Sequence, residues 1–178
     1  MINMQVIIWL FPIIFIFHDF EEIIFMEAWI KRNKSYLAEK FPKLFPKFSA
    51  HLDKITTSSF ALGVAEEFML INVITITAYF MEWYSLWLGS FIAFILHLLI
   101  HCVQTIIVRR YLPLIVTTII SLPVCLYIIS QVIVMFDLST VVLYSFIGFI
   151  IMIVNIIALH KYMDVFTVWI NKYQQKVQ

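Results

Sequence analysis

His18, Glu21 and Glu22 stand at i, i+3 and i+4, a spacing that on a helix places all three within one arc of about 100°. His97 and His101 stand at i and i+4, the interval at which two imidazoles on one helix can reach a common ion. Ser90 and Gln104 extend that second stripe. Two or three imidazoles with one or two carboxylates match the donor sets of catalytic zinc and of non-haem iron or manganese. The expected metal ligands are therefore His18, Glu22, His97 and His101. Glu21, or Glu66 from another helix, is the expected general base that takes a proton from metal-bound water. Asp19, Glu67, Gln104 and Asn155 are expected behind the ligands, where they would orient them. Asn155 and His160 also suit plain hydrogen-bonded packing, and Glu27 can pair with Lys31 four residues on. The order His-x-x-Glu-Glu does not satisfy the zinc-peptidase pattern of two histidines around a glutamate.

These residues must be positioned by elements that live in lipid. The chain of 178 residues is 63% hydrophobic, 17% aromatic and only 13% charged, whereas about a quarter of a soluble domain is charged. Apolar runs at 4–30, 58–81, 84–108, 112–136 and 139–161 are each long enough to cross about 30 Å of hydrocarbon as helix and too long for barrel strands. The expected fold is all-α, a single domain over 1–178 built as a bundle of five transmembrane helices. Residues 1–17 lack a basic leader and run into His18-Asp19-Phe20-Glu21-Glu22, so they are expected to be retained as part of the first span.

All 12 Lys and Arg fall on one side of such a bundle: in the loop 31–57, at Arg109 and Arg110, and at Lys161, Lys172 and Lys176. Basic residues are retained in cytoplasmic loops, so the N-terminus is expected outside and the C-terminus in the cytoplasm. The repeat Phe41-Pro42-Lys43-Leu44-Phe45-Pro46-Lys47-Phe48 reads as a non-helical connector resting on lipid headgroups. Pro123 should kink the fourth span, with Thr117, Ser121 and Ser130 re-satisfying the backbone around it. Cys102 and Cys125 lie in apolar runs and read as small hydrophobes. Nothing in this composition suits nucleic acid.

Counted from the basic ends, His18, Glu22, Glu66, His97 and His101 fall in one slab of the inner half of the bilayer. Asp19, Glu21, Glu22, Glu66 and Glu67 would each cost about 2.5–3.5 kcal/mol in hydrocarbon, and no Lys or Arg lies at that depth. Cations, protons or water must offset that charge.

His18-Asp19-Phe20-Glu21-Glu22 near the start of a small multi-pass chain resembles the motif of the HXXEE family. The histidines of the third span, followed by Arg109-Arg110-Tyr111-Leu112-Pro113 and Thr117, resemble that family's later His-containing and Arg-Tyr-x-Pro segment. The resemblance implies a bacterial membrane protein with a His/Glu site and supplies no reaction. The expected function is a metal-dependent hydrolase in the plasma membrane, acting on a lipid or membrane-associated peptide from the cytoplasmic side with zinc, iron or manganese. The alternative is a proton- or ion-coupled transporter using the same carboxylates, in which a homo-oligomer could complete the path. Glu66-Glu67 with later membrane histidines also resembles the prenyl-protein-processing peptidases, although Ile71 stands where an arginine would be needed.

Overall fold

The computed structural model describes residues 3–176, with side chains left aside at 160–164, 170–171 and 173–176. His160, Lys161 and Lys176 thus lie outside the described side chains. The described residues form helices α1 (Met4–Ile7), α2 (Leu10–Lys40), α3 (Phe45–Leu52), α4 (Thr57–Met81), α5 (Tyr84–Val108), α6 (Ile115–Val132) and α7 (Leu138–Lys176), with a 3-10 turn at Ile133–Met135 and no strand. Four helical stretches are long and apolar enough to cross a membrane: Thr57–Met81, Tyr84–Val108, Ile115–Met135 and Leu138–Leu159. The expected first span is divided into α1 and α2, and α2 carries Asp19, Glu21, Glu22 and Glu27 along its length.

Pro12 explains that division. It lacks the N–H that would bond the carbonyl four residues back, which is that of Ile8. The indole of Trp87 donates to this Ile8 carbonyl at 3.0 Å. Trp87 is fully buried and stacks on Phe91, while Phe11 meets both rings edge-on. An aromatic layer thus closes the end of the bundle opposite the basic loops.

α5 makes its most extensive contact with α7, and α2 lies between α4 and α6. Gly89 and Gly148 let the α5 and α7 backbones touch: a Cβ built on Gly148 would lie 2.3 Å from the Gly89 carbonyl oxygen. Small residues at such crossings replace the hydrophobic drive that lipid cannot supply. α4 starts with a Thr56–Ser59 capping box, and Glu27 adds a second cap by accepting the Thr57 amide at 2.5 Å and its hydroxyl at 2.8 Å. Glu27 also meets Lys31 at 2.5 Å. Asp137 caps α7, accepting from Ser139 and from the amide and hydroxyl of Thr140, bonds that hold its carboxyl below the usual range.

One expectation for the connecting regions is corrected. The Phe-Pro-Lys repeat is helical from Phe45, because Pro46 falls in the first turn of α3 where a missing N–H costs nothing. α6 runs from Ile115 to Val132 with Pro123 inside it, and the Thr117 hydroxyl meets α2 at the His18 carbonyl and the Glu21 carboxylate. α7 spans 39 residues, continuing well past 161, and the Thr167 hydroxyl donates to the Lys54 carbonyl at 3.1 Å. Cys125 is buried, Cys102 is half-buried, and both are free thiols.

Candidate metal centre

α2 and α5 cross so that His18, Glu22, His97 and His101 meet, with one donor atom from each lying within 4.8 Å of all the others. His101 Nε2 stands 2.7 Å from His97 Nε2 and 3.2 Å from Glu22 Oε1. His18 Nε2 stands 3.7 Å from the same oxygen. Donors at zinc–nitrogen distances of about 2.0–2.1 Å in a tetrahedron are separated by about 3.4 Å, so these spacings bracket what one ion requires. His18 is 0% exposed, His101 6% and Glu22 7%. His18 Nε2 and Glu22 Oε1 nevertheless have no hydrogen-bond partner, and each such buried atom costs about 1–3 kcal/mol.

The protons behind the cluster are assigned by what surrounds it. Glu21 accepts on all sides: from the Tyr111 hydroxyl at 2.6 Å, the Thr117 amide at 2.8 Å and the Thr117 hydroxyl at 2.6 Å. With its single proton on that carboxylate, the Thr117 oxygen accepts from His18 Nδ1 at 3.0 Å. His18 then carries its proton on Nδ1 and turns the Nε2 lone pair to the cluster. Gln104 Oε1, an acceptor, lies 2.9 Å from His101 Nδ1 and selects the same tautomer. Outer partners that fix histidine tautomers in this way are the rule in metal sites. Two Nε2 lone pairs facing each other repel, so the close His97–His101 approach needs a proton or a cation between them.

The structure places the remaining candidates as follows. Gln104 stands behind His101, while Glu21 points away from the cluster to α6 and the α5–α6 connection. Glu66 receives the Asn155 amide on both oxygens at 3.0 Å, a pairing of α4 with α7 that takes Asn155 to Glu66 and not to a ligand. Glu67 instead lines a cavity of about 280 Å³ together with Asp19, Glu22, His97 and His101. Asp19 is 4% exposed, and its Oδ2 has no hydrogen-bond partner.

Thr117 and Tyr111 are functional neighbours that residue spacing along the chain does not reveal. They lie 96 and 90 residues from Glu21, and only the packing of α6 on α2 joins them. Burial and the bond to Glu21 push the Tyr111 phenol up to about 12. The same connection is anchored to α2 lower down. Arg110 donates to Asn33 at 2.8 Å and lies 3.6 Å over the Tyr36 ring, while Tyr36 and Lys40 both donate to the Val108 carbonyl at the end of α5. The His-Asp-Phe-Glu-Glu segment and the Arg-Arg-Tyr-Leu-Pro segment therefore form one structural unit.

A family model described as a protein of unknown function with HXXEE motif matches residues 9–128, a range that contains both segments and all four clustered residues. No curated protein and no solved structure matches the chain.

Proposed function

The chain belongs to the HXXEE family, and from that premise we propose that it is a metal-dependent hydrolase of the bacterial plasma membrane, acting on a lipid or membrane-associated substrate. In this reading α2 joins the four apolar helices as a fifth span, with the N-terminus outside and the basic loops in the cytoplasm. The observation that carries the proposal is the convergence of three imidazoles and one carboxylate, in which the buried His18 Nε2 and Glu22 Oε1 lack hydrogen-bond partners.

His18, His97, His101 and Glu22 would hold a zinc, iron or manganese ion. Such an ion supplies Lewis acidity and brings the pKa of a coordinated water toward neutrality. Thr117 and Gln104 keep the histidines in the ligating tautomer, and Glu21 acts through Thr117. Glu67, on the wall of the same cavity, is the general base. Hydrolysis joins the water oxygen to the carbonyl carbon and breaks the bond to the leaving group, which departs with the proton Glu67 has taken.

A transporter would need a polar path past the cluster. Beyond His97 the neighbouring side chains are Phe94, Phe15, Phe11 and Phe91, all buried, which favours a site open from one side. Elemental analysis of the detergent-purified chain tests the proposal beside Glu22→Gln and His101→Ala. One transition-metal ion per chain is expected, diminished by both changes. Absence of metal in the parent protein after supplementation overturns the reading.

A further inference from the structure

A second cavity of about 80 Å³ lies between α2, α4, α5 and α7 and shares Glu67, His97, Met152 and Ile156 with the first. It extends from the level of the cluster toward the end of the bundle closed by aromatic rings. Its walls reach Phe11 on α2, Ile74 on α4, Ser90 on α5 and Gly148 on α7. Each of these lies seven residues along its helix from His18, Glu67, His97 and Asn155 respectively. Seven residues rise about 10.5 Å, and the four helices agree, so the space is a slot about two turns deep.

The slot is lined mostly by apolar side chains. Phe11, Phe15, Ile71, Ile74, Ala93 and Phe94 line it, and each is no more than 8% exposed. Polar groups stand at the mouth, where Glu67, His97 and Asn155 are found. Ser90 at the far end has its hydroxyl engaged with the Leu86 carbonyl at 3.0 Å. The volume has room for roughly five to eight water-sized groups, and a depth of about 10 Å accommodates a saturated chain of about eight carbons at C–C bonds near 1.5 Å. A peptide would bring amides into a wall that offers them no partners.

We infer that this slot holds the acyl chain of a lipid substrate whose ester carbonyl lies at the histidine cluster. The position of the carbonyl rests on the metal-dependent reading above; occupancy of the slot does not.

The test uses the full chain in detergent micelles and an eight-carbon fatty-acid ethyl ester bearing a terminal diazirine. After photolysis, mass spectrometry of peptides locates the label. Label is expected at the far end of the slot, on Phe11, Ile74, Ser90 and Gly148. Ala93→Trp, which fills the slot, should lower that label by about tenfold while metal content and the labelling of lipid-facing positions such as Val103 stay unchanged. Ala93→Leu, a smaller intrusion, should lower it in part and guards against misfolding of the tryptophan variant. Wall labelling that neither substitution alters, or label confined to lipid-facing residues, overturns the inference, as does displacement of the probe by a hydrophobic peptide but not by octanoate. Metal bound without wall label refutes the slot alone. Wall label without metal refutes the hydrolase and leaves the slot standing.

Discussion

Replacing Gly148 by alanine drives a methyl carbon into the backbone of the neighbouring helix. The new Cβ would lie 2.3 Å from the Gly89 carbonyl oxygen, 2.5 Å from its carbon and 2.9 Å from the Ser90 nitrogen, where ordinary contact begins at 3.4 Å. None of these atoms is a flexible side-chain end, so α5 and α7 must part by about 1 Å. A gap of that size forfeits about a quarter to a half of the attraction at each contact along the interface, and overpacking of this kind costs about 1–3 kcal/mol. Alanine recovers about 0.5–1 kcal/mol as the better helix former, leaving a net loss on the order of 1–2 kcal/mol. Gly89→Ala should cost more, because its Cβ would stand only 2.0 Å from the Tyr144 carbonyl oxygen. The double variant should cost less than the sum, since the first substitution already opens the crossing for the second. Reversible unfolding in mixed micelles, driven by sodium dodecyl sulfate and followed by circular dichroism, measures all three. A Gly89→Ala protein as stable as its parent would refute the reasoning.

Thr117→Val removes the hydroxyl that fixes the His18 tautomer, and metal affinity measured by competition with a chromogenic chelator should fall about 10- to 100-fold; an unchanged affinity argues against the assigned proton path. Tyr111→Phe deletes a 2.6 Å hydrogen bond to the Glu21 carboxylate, and because Tyr111 is half exposed the same unfolding assay should register a loss of about 0.5–1.5 kcal/mol. The phenol is held up to about 12 in the fold, so the folded state keeps this proton after the unfolded chain has lost it. Stability should therefore drop with rising pH between the ordinary tyrosine value and about 12, and this tyrosine's share of the drop should vanish in the phenylalanine variant. Arg109 ends α5 at φ 56°, a left-handed conformation that costs a side-chain-bearing residue about 1–2 kcal/mol; Arg109→Gly should raise stability by about 1 kcal/mol.

The meeting of His18 and Glu22 with His97 and His101 was legible because helical spacing and depth can both be counted along a chain. The choice between Glu66 and Glu67 was not. Adjacent residues on a helix point about 100° apart, and α4 is apolar around its circumference, so no amphipathic stripe says which side faces inward. Glu21 shares its arc with His18 and Glu22, yet its partners Tyr111 and Thr117 come from a distant connection whose docking depends on helix crossing, which periodicity does not encode. Pro12 could have announced the break before α2 through its missing N–H. Its partner could not, because nothing local ties Trp87 to Ile8. Composition sufficed for the all-helical, lipid-facing character, since 63% hydrophobic residues in runs of more than 20 leave few alternatives.

The Ile8 carbonyl, to which Pro12 can offer no N–H, takes the Phe11 amide at a long 3.4 Å and the Trp87 indole at 3.0 Å. Trp87 follows Ile8 by 79 residues, so the stronger of these two bonds is a long-range one. That oxygen meets its indole donor only when α5 lies beside the start of α2. One indole N–H therefore fastens the short α1 to the rest of the bundle, at the one place where the proline has thinned the local ladder.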